Sequence, residues 1–360
     1  MYISEITLKN FRNLQPCSLC FDKKLNIITG ENGAGKTSLL EAIHTLSTGR
    51  SFRTKYVKRI ISFSKDQFHI QAKIKNNSQY TKLSLIKRKS GKSLIELDHN
   101  KETNYSNTAR LIPIQTFNPE SISILISGAK NKRKIIDWGT FYTNKLFYTY
   151  WKKLSQILKH RNSALKKNYS YNVMLAWDNE IVRISNIIDK QRSFYVSQII
   201  PIINDFLNNI PSFPKINIQY YRGWSHQETL GHILDRNYPK DKKLGYTNYG
   251  AHKADLIISS NGIPIQDSLS RGQLKLLMAI IKLSQGILLE NEYSVSPIYL
   301  IDDITSELDN TFLSFFIKYI LQLKSQIFLS TLSFSNIANE IKNYNFCQFN
   351  ITKGEIKLIN

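Results

Sequence analysis

The sequence predicts an α/β protein in which a nucleotide-binding lobe with a mixed β-sheet is joined to a mainly helical lobe that contains no coiled coil. Three observations support this fold class. A glycine-rich loop near residue 30 lies between an apolar strand and a helix. Many of the first ninety residues alternate between apolar and polar side chains, as β-strands do. From about residue 130 to 210 the apolar residues recur every three or four positions without sustained heptads.

The pattern of apolar residues gives the order of the elements. One helix, at 37–47, interrupts the early strands and carries its apolar residues on one face. Pro201, Pro211 and Pro214 are expected to end the helical stretch. Strands then return and alternate with helices. The expected strands are 2–8, 18–22, 25–29, 68–74, 83–87, 215–221, 254–259, 297–301 and 326–330.

The composition favours a folded protein without a membrane segment. Of the 360 residues, 42% are hydrophobic, which is enough for a packed core and excludes a wholly disordered chain. A membrane helix needs roughly 18 or more consecutive apolar residues. The most apolar candidate, 274–289, is interrupted by Lys275 and Lys282. The first residues lack the apolar core of a secretion signal, so we expect a cytoplasmic protein with no membrane partner.

A large excess of positive charge indicates a polyanionic partner. The chain has 49 Lys and Arg against 27 Asp and Glu, a formal net charge of +22. Because 36 of the 49 are Lys, the codon bias of an AT-rich genome is an alternative explanation. The segment 129–168 favours nucleic acid, since it has 11 basic residues and one acid, Asp137.

Two groups of basic residues are candidate DNA contacts. The first accompanies the aromatic residues Tyr150 and Trp151, which could stack on bases. It consists of Lys130, Lys132, Arg133, Lys134, Lys152, Lys153, Lys159 and Arg161. A solvated lysine face without a function is the alternative for this group. The second candidate group consists of Arg53, Lys55, Lys58 and Arg59.

The most specific pattern is the glycine-rich loop at 30–37. A short apolar strand precedes it and a helix follows it, which is the context of a phosphate-binding P-loop. Its glycines let backbone N–H groups converge on phosphate oxygens, and the helix adds its positive N-terminal end. Lys36 is expected to reach the β- and γ-phosphates, and Thr37 to hold Mg²⁺. The predicted phosphate-binding residues are Gly30, Glu31, Asn32, Gly33, Ala34, Gly35, Lys36 and Thr37.

A second candidate element is the strand at 297–301, which ends in two carboxylates. An acid at the end of a strand beside a P-loop can hold the magnesium ion, so Asp302 is expected to bind Mg²⁺. Asp303 would then orient or deprotonate the attacking water. The alternative is an exposed acidic turn that opens the next helix, since Thr305 and Asp309 also favour helix starts.

A third candidate element is the start of the amphipathic helix in SLSRGQLKLLMAIIKL (268–283). The Ser270 hydroxyl can be interpreted as a helix N-cap. The alternative is that Ser270, the Gly272 backbone N–H and the helix N-terminus bind phosphate. Because the P-loop already supplies such groups, this second phosphate site makes sense if it completes the site of another subunit.

Four motifs in this order, GENGAGKTS, LSRGQ, LIDD and SELD (306–309), are those of the heads of ABC and SMC ATPases. More narrowly, the chain resembles the RecF family of bacterial recombination-repair ATPases. The similarity extends over essentially the whole chain. The segments that carry it are ITLKNFRN (6–13), TGRSFRT (48–54), NPES (118–121), NKRKIIDW (131–138), GAHKADL (250–256) and LSRGQLKLLM (269–278).

This resemblance implies an ABC/SMC-type P-loop ATPase head. Residues 1–117 and 296–360 would form the ATPase lobe, and residues 118–295 a mainly helical second lobe that carries the signature motif. The implied cofactors are ATP and Mg²⁺, bound in a homodimer that closes on two ATP molecules. Gln115 would be the switch glutamine that senses Mg²⁺. The implied catalytic residues are Lys36, Gln115 and Asp303. The implied metal-binding residues are Thr37, Gln115 and Asp302. The residues that would be presented to the partner's γ-phosphate are Ser270, Arg271 and Gly272.

Three positions depart from the pattern of transporter ATPases. Arg271 replaces a second glycine of the signature, and Thr331 stands where transporters have a switch histidine. Asp303 stands where glutamate is usual, and its shorter side chain implies slow hydrolysis. Slow hydrolysis suits a switch that is timed by ATP, whereas a pump needs fast turnover.

The function implied by the resemblance is ATP-dependent DNA binding in recombinational repair and replication restart, within the SOS response to DNA damage. The chain would bind single-stranded and gapped DNA, including junctions with duplex, and help to load the recombinase as a weak, DNA-stimulated ATPase. The implied protein partners are RecR and RecO. The alternatives are the nucleotide-binding subunit of an ABC transporter, another SMC-like ATPase and a P-loop kinase. A kinase would leave LSRGQ and SELD unexplained, and the SMC-like class needs a long coiled coil.

Overall fold

The computed structural model describes residues 1–76, 78–118, 121–210, 213–303 and 310–359. The chain divides into two compact units, Met1–Ser121 with Leu289–Asn360, and Ile122–Leu288. The strands are β1 (Tyr2–Lys9), β2 (Cys17–Cys20), β3 (Leu25–Thr29), β4 (Gln67–Asn76), β5 (Gln79–Arg88), β6 (Ser93–Leu97), β7 (Asn100–Glu102), β8 (Ile114–Phe117), β9 (Ile216–Tyr221), β10 (Asp255–Ser260), β11 (Ile263–Pro264), β12 (Ile298–Ile301), β13 (Ile327–Thr331), β14 (Cys347–Thr352) and β15 (Glu355–Leu358). The helices are α1 (Lys36–Thr48), α2 (Tyr105–Leu111), α3 (Ser121–Ile126), α4 (Ala129–Thr143), α5 (Phe147–Lys166), α6 (Tyr171–Asn208), α7 (Leu230–Leu244), α8 (Ile265–Ser268), α9 (Arg271–Tyr293), α10 (Asn310–Gln322) and α11 (Ala338–Ile341).

The first unit contains an antiparallel sheet of six strands in the order β2-β1-β4-β5-β6-β7. Along β4 the residues Phe68, Ile70, Ala72 and Ile74 are buried, and the residues between them are partly or fully exposed. One face of this sheet therefore packs on the core, as the alternation of the sequence predicted. Expected strands at the start of the chain and across 68–87 are confirmed.

The second sheet of this unit holds the P-loop strand. Its order is β15-β14-β3-β13-β12-β8, and every neighbouring pair except β15 with β14 is parallel. Strands β3, β13 and β12 are buried along their whole length, because parallel strands are covered on both faces. Parallel neighbours bring their carboxyl ends to one edge, where the residues that follow each strand meet. The predicted mixed sheet is confirmed.

Helix α1 follows the P-loop and packs on the core of the first unit. Leu39, Leu40, Ile43 and Leu46 are all buried, as their spacing predicted. The helix ends at Gly49, whose φ of 69° lies in the left-handed region that favours glycine. The apolar face of α1 thus fixes the helix that carries Lys36 and Thr37 at its first turn.

The second unit is mainly helical, and an antiparallel sheet of order β11-β10-β9 accompanies helices α4 to α7. Helix α5 packs along α6, and Trp224 is buried in the same core. The apolar residues that α5 and α6 contribute to this core are Phe147, Leu154, Leu158, Ile181, Ile184 and Ile188. The predicted helical lobe is confirmed.

Pro201 lies inside α6 and does not end it, so this part of the prediction is wrong. A proline removes one helical hydrogen bond and crowds the preceding turn. The next residues on the core side, Ile203, Phe206 and Leu207, are buried, and their packing stabilises the helix beyond the proline. Pro211 lies outside the described residues.

Helix α9 is, within the described ranges, the helix that is long and apolar enough to span a bilayer. Of its most apolar window, 78% is buried inside the protein, which is typical of a core helix. Lys282 lies in this helix, and burial lowers the pKa of its ammonium group to about 7.

A buried ion cluster joins three helices of the second unit. Arg161 of α5 donates to the carboxylate of Asp178 on α6 and, over 2.8 Å, to Asp241 Oδ2 on α7. The nitrogen that donates to Asp241, Arg161 Nη1, also donates to the Thr247 hydroxyl over 2.9 Å. Burial raises the pKa of Asp178. Because the Arg161 side chain is fully buried, its expected role as a DNA contact is wrong.

We predict that Arg161→Met strongly destabilises the second unit. The substitution leaves two buried carboxylates without their cation, which costs about 3–5 kcal/mol. Equilibrium unfolding in urea measures this loss. The matched control is Lys159→Met, two residues away on the same helix and exposed, which should leave the unfolding free energy nearly unchanged. Equal stability of the two variants would contradict the prediction.

Candidate nucleotide-binding site

The P-loop follows β3 in a conformation that depends on glycine. Gly30, Gly33 and Gly35 have φ values of 146°, 80° and 127°. A Cβ on Gly30 would lie 2.4 Å from the Ile351 carbonyl oxygen, and a Cβ on Gly35 would lie 2.7 Å from Leu14 Cδ2. The loop therefore fits between β14 and the β1–β2 connection only without side chains at these two positions.

Lys36 lies across the P-loop. Its Nζ donates to the carbonyl oxygens of Gly30 at 2.5 Å and of Glu31 at 3.0 Å. Burial lowers the pKa of the Lys36 ammonium, and the carboxylates of Asp303 and Asp302 oppose this shift. The positive charge is thus held over the loop, close to both predicted acidic residues.

Thr37 and Asp302 are in direct contact. The Thr37 Oγ1 lies 2.9 Å from both Oδ1 and Oδ2 of Asp302, and the Ser330 hydroxyl donates to Oδ1 over 2.9 Å. Burial raises the pKa of the Asp302 carboxyl, and the hydrogen bonds from Ser330 and Thr37 oppose this shift. Hydroxyl and carboxylate oxygens are the ligands that Mg²⁺ prefers, so this donor pair fits the predicted metal.

Asp303 follows at the same edge of the sheet. Its backbone N–H donates to the Ser330 hydroxyl over 2.9 Å, and its φ of 49° is in the left-handed region. This turn places Asp303 in the wall of the cleft described below, beside Asp302. The sequence did not single out Ser330, because a serine at the end of an apolar strand has no signature of its own.

Gln115 and Thr331 lie elsewhere in this sheet. Gln115 is buried within β8 and pairs with Tyr299, three residues before Asp302 along the neighbouring strand. Asn118 is the residue of that segment at the level of Asp302, since Phe117 pairs with Ile301. The structure therefore does not bring Gln115 into the wall of the cleft, and its role as a metal sensor stays a prediction. The buried Thr331 hydroxyl donates to the Ser333 carbonyl oxygen over 3.1 Å.

A cleft of about 1140 Å³ extends from the P-loop across the first unit. The P-loop with Asp302 and Asp303 forms part of its wall, and five cations contribute to the rest. An exposed aromatic residue, Phe63, also lines it. The cations in its wall, besides Lys36, are Arg12, Arg53, Lys58, Arg59 and Lys89. Such a wall suits a polyanionic ligand.

Glu41 holds two of the cations in this wall. It is fully buried on α1 and accepts hydrogen bonds from Arg12 Nε at 2.8 Å and Arg12 Nη2 at 2.7 Å. It also accepts from the Ser51 hydroxyl and lies 3.7 Å from Arg53 Nη1. The structure places Arg12 in the wall of the cleft. The sequence did not single out Glu41, since a lone acid inside the apolar pattern of α1 indicates a buried carboxylate but not which cations it holds.

The signature motif begins α9 with a capping box. The Ser270 hydroxyl accepts from the Gln273 backbone N–H at 3.2 Å, and the Gln273 side chain accepts from the Ser270 N–H at 2.9 Å. The N-cap interpretation is confirmed. Ser270 and Arg271 are exposed, so they are accessible to a second molecule. The SELD motif and residues 119–120 of NPES lie outside the described residues.

Comparison with known proteins gives the family. The model of the RecF/RecN/SMC N-terminal domain matches residues 2–352. DNA replication and repair protein RecF from Francisella tularensis subsp. novicida (strain U112) is 41% identical over 331 residues, which are 92% of this chain and 95% of that protein. The same protein from subsp. holarctica (strain LVS) has the same identity and coverage. The chain belongs to the RecF family.

Solved structures agree with this RecF-family assignment. The structure of the recombination mediator protein RecF with ATP, in the RecFOR pathway, superposes with a TM-score of 0.88 at 28% identity, covering 100% of this chain and 98% of the other. An Smc head bound to the C-terminal winged-helix domain of ScpA superposes with a TM-score of 0.62 at 13% identity, covering 100% and 97%. The second likeness shows the shared head fold alone.

Proposed function

We propose that this RecF-family chain is an ATP-controlled DNA-binding switch of recombinational repair and replication restart. It binds single-stranded or gapped DNA in the cytoplasm, assembles with RecR and RecO, and helps to load the recombinase. The contact between Thr37 and Asp302 carries the proposal, because a hydroxyl and a carboxylate beside the P-loop suit Mg²⁺ bound with a nucleotide. The chain that contains this contact is 41% identical to DNA replication and repair protein RecF. The transporter alternative has no comparable support.

ATP binding is proposed at the P-loop. The triphosphate would lie against the loop N–H groups and the start of α1, with Lys36 moving from the Gly30 and Glu31 carbonyl oxygens to the β- and γ-phosphates. Thr37 and Asp302 would hold Mg²⁺. The metal would neutralise charge on the phosphate oxygens. RecF with ATP, to which the chain is structurally similar, supports this assignment.

Hydrolysis is proposed to depend on Asp303. Its turn, anchored by the N–H bond to Ser330, places the residue in the wall of the cleft beside Asp302, the proposed metal ligand. There it can orient or deprotonate a water molecule. An aspartate reaches less far than a glutamate, so we expect slow turnover that is stimulated by DNA. Gln115 would sense the metal only indirectly, through the residues that lie between it and the cleft. Of these, Asn118 is the one at the level of Asp302.

The site is proposed to be completed by a second copy of the chain. Ser270, Arg271 and Gly272 lie at the exposed start of a 23-residue helix, where a partner's γ-phosphate would meet the hydroxyl and the helix N-terminus. ATP would then act as the link between two heads, and hydrolysis would separate them.

Lys36→Met is expected to weaken ATP binding by at least about 10–100-fold, because a charged hydrogen bond to phosphate is lost. Titration of a fluorescent ATP analogue, followed by anisotropy, measures the affinity. Lys23→Met is the matched control, since it removes an exposed lysine of the same unit away from the loop. Near-normal affinity in Lys36→Met would exclude the P-loop as the triphosphate site.

Asp303→Asn is expected to bind ATP normally and to lose hydrolysis by about 100-fold or more, since the amide cannot accept a proton from water. Single-turnover release of phosphate measures the rate. Asp303→Glu is the informative control, because the longer carboxylate should hydrolyse at least as fast as wild type. Wild-type turnover by Asp303→Asn would place the base at another residue.

Ser270→Arg is expected to bind ATP as a monomer and to fail to form the ATP-dependent dimer, because the larger cation would block the partner's phosphate pocket. Analytical ultracentrifugation with ATP, with ADP and without nucleotide measures the assembly. Gln266→Arg adds the same charge at a nearby exposed position and should still dimerise. If Ser270→Arg dimerises with ATP, the signature acts only as a helix start.

A further inference from the structure

We propose that the segment from Arg53 to Lys65, hereafter the basic-aromatic loop, is a contact surface for single-stranded nucleic acid. Its cations would bind the phosphates, and the rings of Tyr56 and Phe63 would stack on unpaired bases. The inference rests on the proposed DNA-binding function and assigns that function to a surface of the first unit.

The charge of this segment is one-sided. From Arg50 to Lys65 the chain has six Lys or Arg residues and no Asp or Glu. The exposed cations of the loop are Arg53, Lys55, Lys58, Arg59 and Lys65. Among the acids near the loop, Asp66 pairs with Lys89 at 3.1 Å, and the buried Glu41 holds Arg12 and lies 3.7 Å from Arg53 Nη1. The loop therefore presents a net positive surface that suits a chain of phosphates.

Two aromatic rings stand among these cations. Tyr56 is 53% exposed, with Lys55 Nζ 5.4 Å and the Arg59 guanidinium 5.0 Å from its ring centre. Phe63 is 97% exposed. A phenylalanine so exposed contributes almost no apolar burial to the fold, although it lies next to a packed core. Exposed rings beside cations are the combination by which proteins bind single strands without sequence preference.

The backbone around Phe63 is fixed by the rest of the first unit. The Arg12 N–H donates to the Ile60 carbonyl oxygen at 2.7 Å, and the Ser62 N–H donates to the Asn10 carbonyl oxygen at 3.0 Å. Ile60 and Ile61 are buried. Because the chain is anchored directly before Phe63, little conformational entropy is lost when a base stacks on the ring.

A single strand explains these features better than duplex or the base of a bound nucleotide. Duplex DNA offers phosphates to the cations, but its bases are already stacked and present no free face to the rings. A nucleotide in the cleft could reach Phe63, which lines it, but Tyr56 and Lys55 are not in that wall. A ligand can contact both rings only if it runs along the loop outside the cleft.

The second unit is a weaker candidate for this contact than the sequence indicated. Lys132 pairs with Asp255 at 3.0 Å, Arg133 donates to the Ala254 carbonyl oxygen at 2.5 Å, and Arg161 is buried. Lys153 also pairs with Glu180, so four of the eight basic residues of the candidate group at 130–161 are tied to the structure of their own unit. In the basic-aromatic loop, all four residues of the second candidate group are exposed.

The experiment measures binding of fluorescein-labelled oligo(dT) and of a duplex of equal length to the full chain with ATP, over a range of salt concentrations. The variant Tyr56→Ala/Phe63→Ala should bind oligo(dT) about fivefold to a hundredfold more weakly, with a smaller loss on duplex. Lys55→Glu/Lys58→Glu should reduce the slope of log affinity against log salt by roughly 0.7 per lost phosphate contact on the single strand.

The matched control is Tyr80→Ala. Tyr80 is 59% exposed and has Lys75 Nζ 5.2 Å from its ring centre. The substitution therefore removes a similar cation–aromatic pair of the same unit that lies outside the loop. It should leave both affinities unchanged. All these side chains are exposed, and thermal unfolding of each variant shows whether the fold is kept.

The outcomes separate this surface from the proposed function. Wild-type oligo(dT) affinity in the aromatic variant, with DNA binding by the wild-type chain intact, overturns the surface and leaves the function standing. Weaker ATP binding without weaker DNA binding overturns it too, and makes Phe63 a contact for the nucleotide base. If the wild-type chain binds no DNA in any nucleotide state, both the surface and the DNA-binding function are wrong.

Discussion

The contact between the Thr37 hydroxyl and the Asp302 carboxylate joins two parts of the chain that are 265 residues apart. It exists because β3, β13 and β12 are parallel neighbours, so the loop after β3 and the acids after β12 meet at one edge of the sheet. Ser330, at the end of the strand between them, bonds to both acids that follow β12. The contact between Thr37 and Asp302 therefore depends on the order of the strands, and the antiparallel sheet and helix α1 hold that order in place.

The parts of the site that the sequence predicted are those with a local signature. The P-loop needs glycines at fixed spacing between a strand and a helix, and Asp302 follows an apolar strand directly, so both could be recognised without knowing what lies beside them. Glu41 and Ser330 could not, because their roles depend on residues that are distant in the chain. Pro201 was misjudged for the same reason: the packing of α6 beyond it outweighs the local preference of proline.

The net charge of +22 comes from basic residues in two environments, the interior of the protein and its surface. Arg161 and Arg192 are interior residues whose donors are taken up by carboxylates and carbonyl groups of the same unit. Asp137, the one acid of the segment 129–168, is the partner of Arg192, and burial raises the pKa of that carboxyl. A count of basic residues along the chain cannot separate such cations from those that face solvent, since the separation depends on which acids the fold brings to each. The exposure of each side chain separates the two kinds of cation. It favours the basic-aromatic loop over the helical unit as the contact for DNA.

The position of β3 between β13 and β14 has a consequence for how the protein is made. Asn26 of β3 contacts Ile327 of β13 across 301 residues, and Gly30 lies against Ile351 of β14. A ribosome that adds 5–20 residues per second needs roughly 15–60 s to proceed from one to the other. For that time the nascent chain carries a strand that is buried along its whole length in the folded protein, with neither of its neighbours. Such segments are the kind that chaperones bind and that aggregate when they are left unprotected. A message truncated before the codon for Ile327 would yield an intact P-loop sequence whose strand lacks both of its neighbours in the sheet.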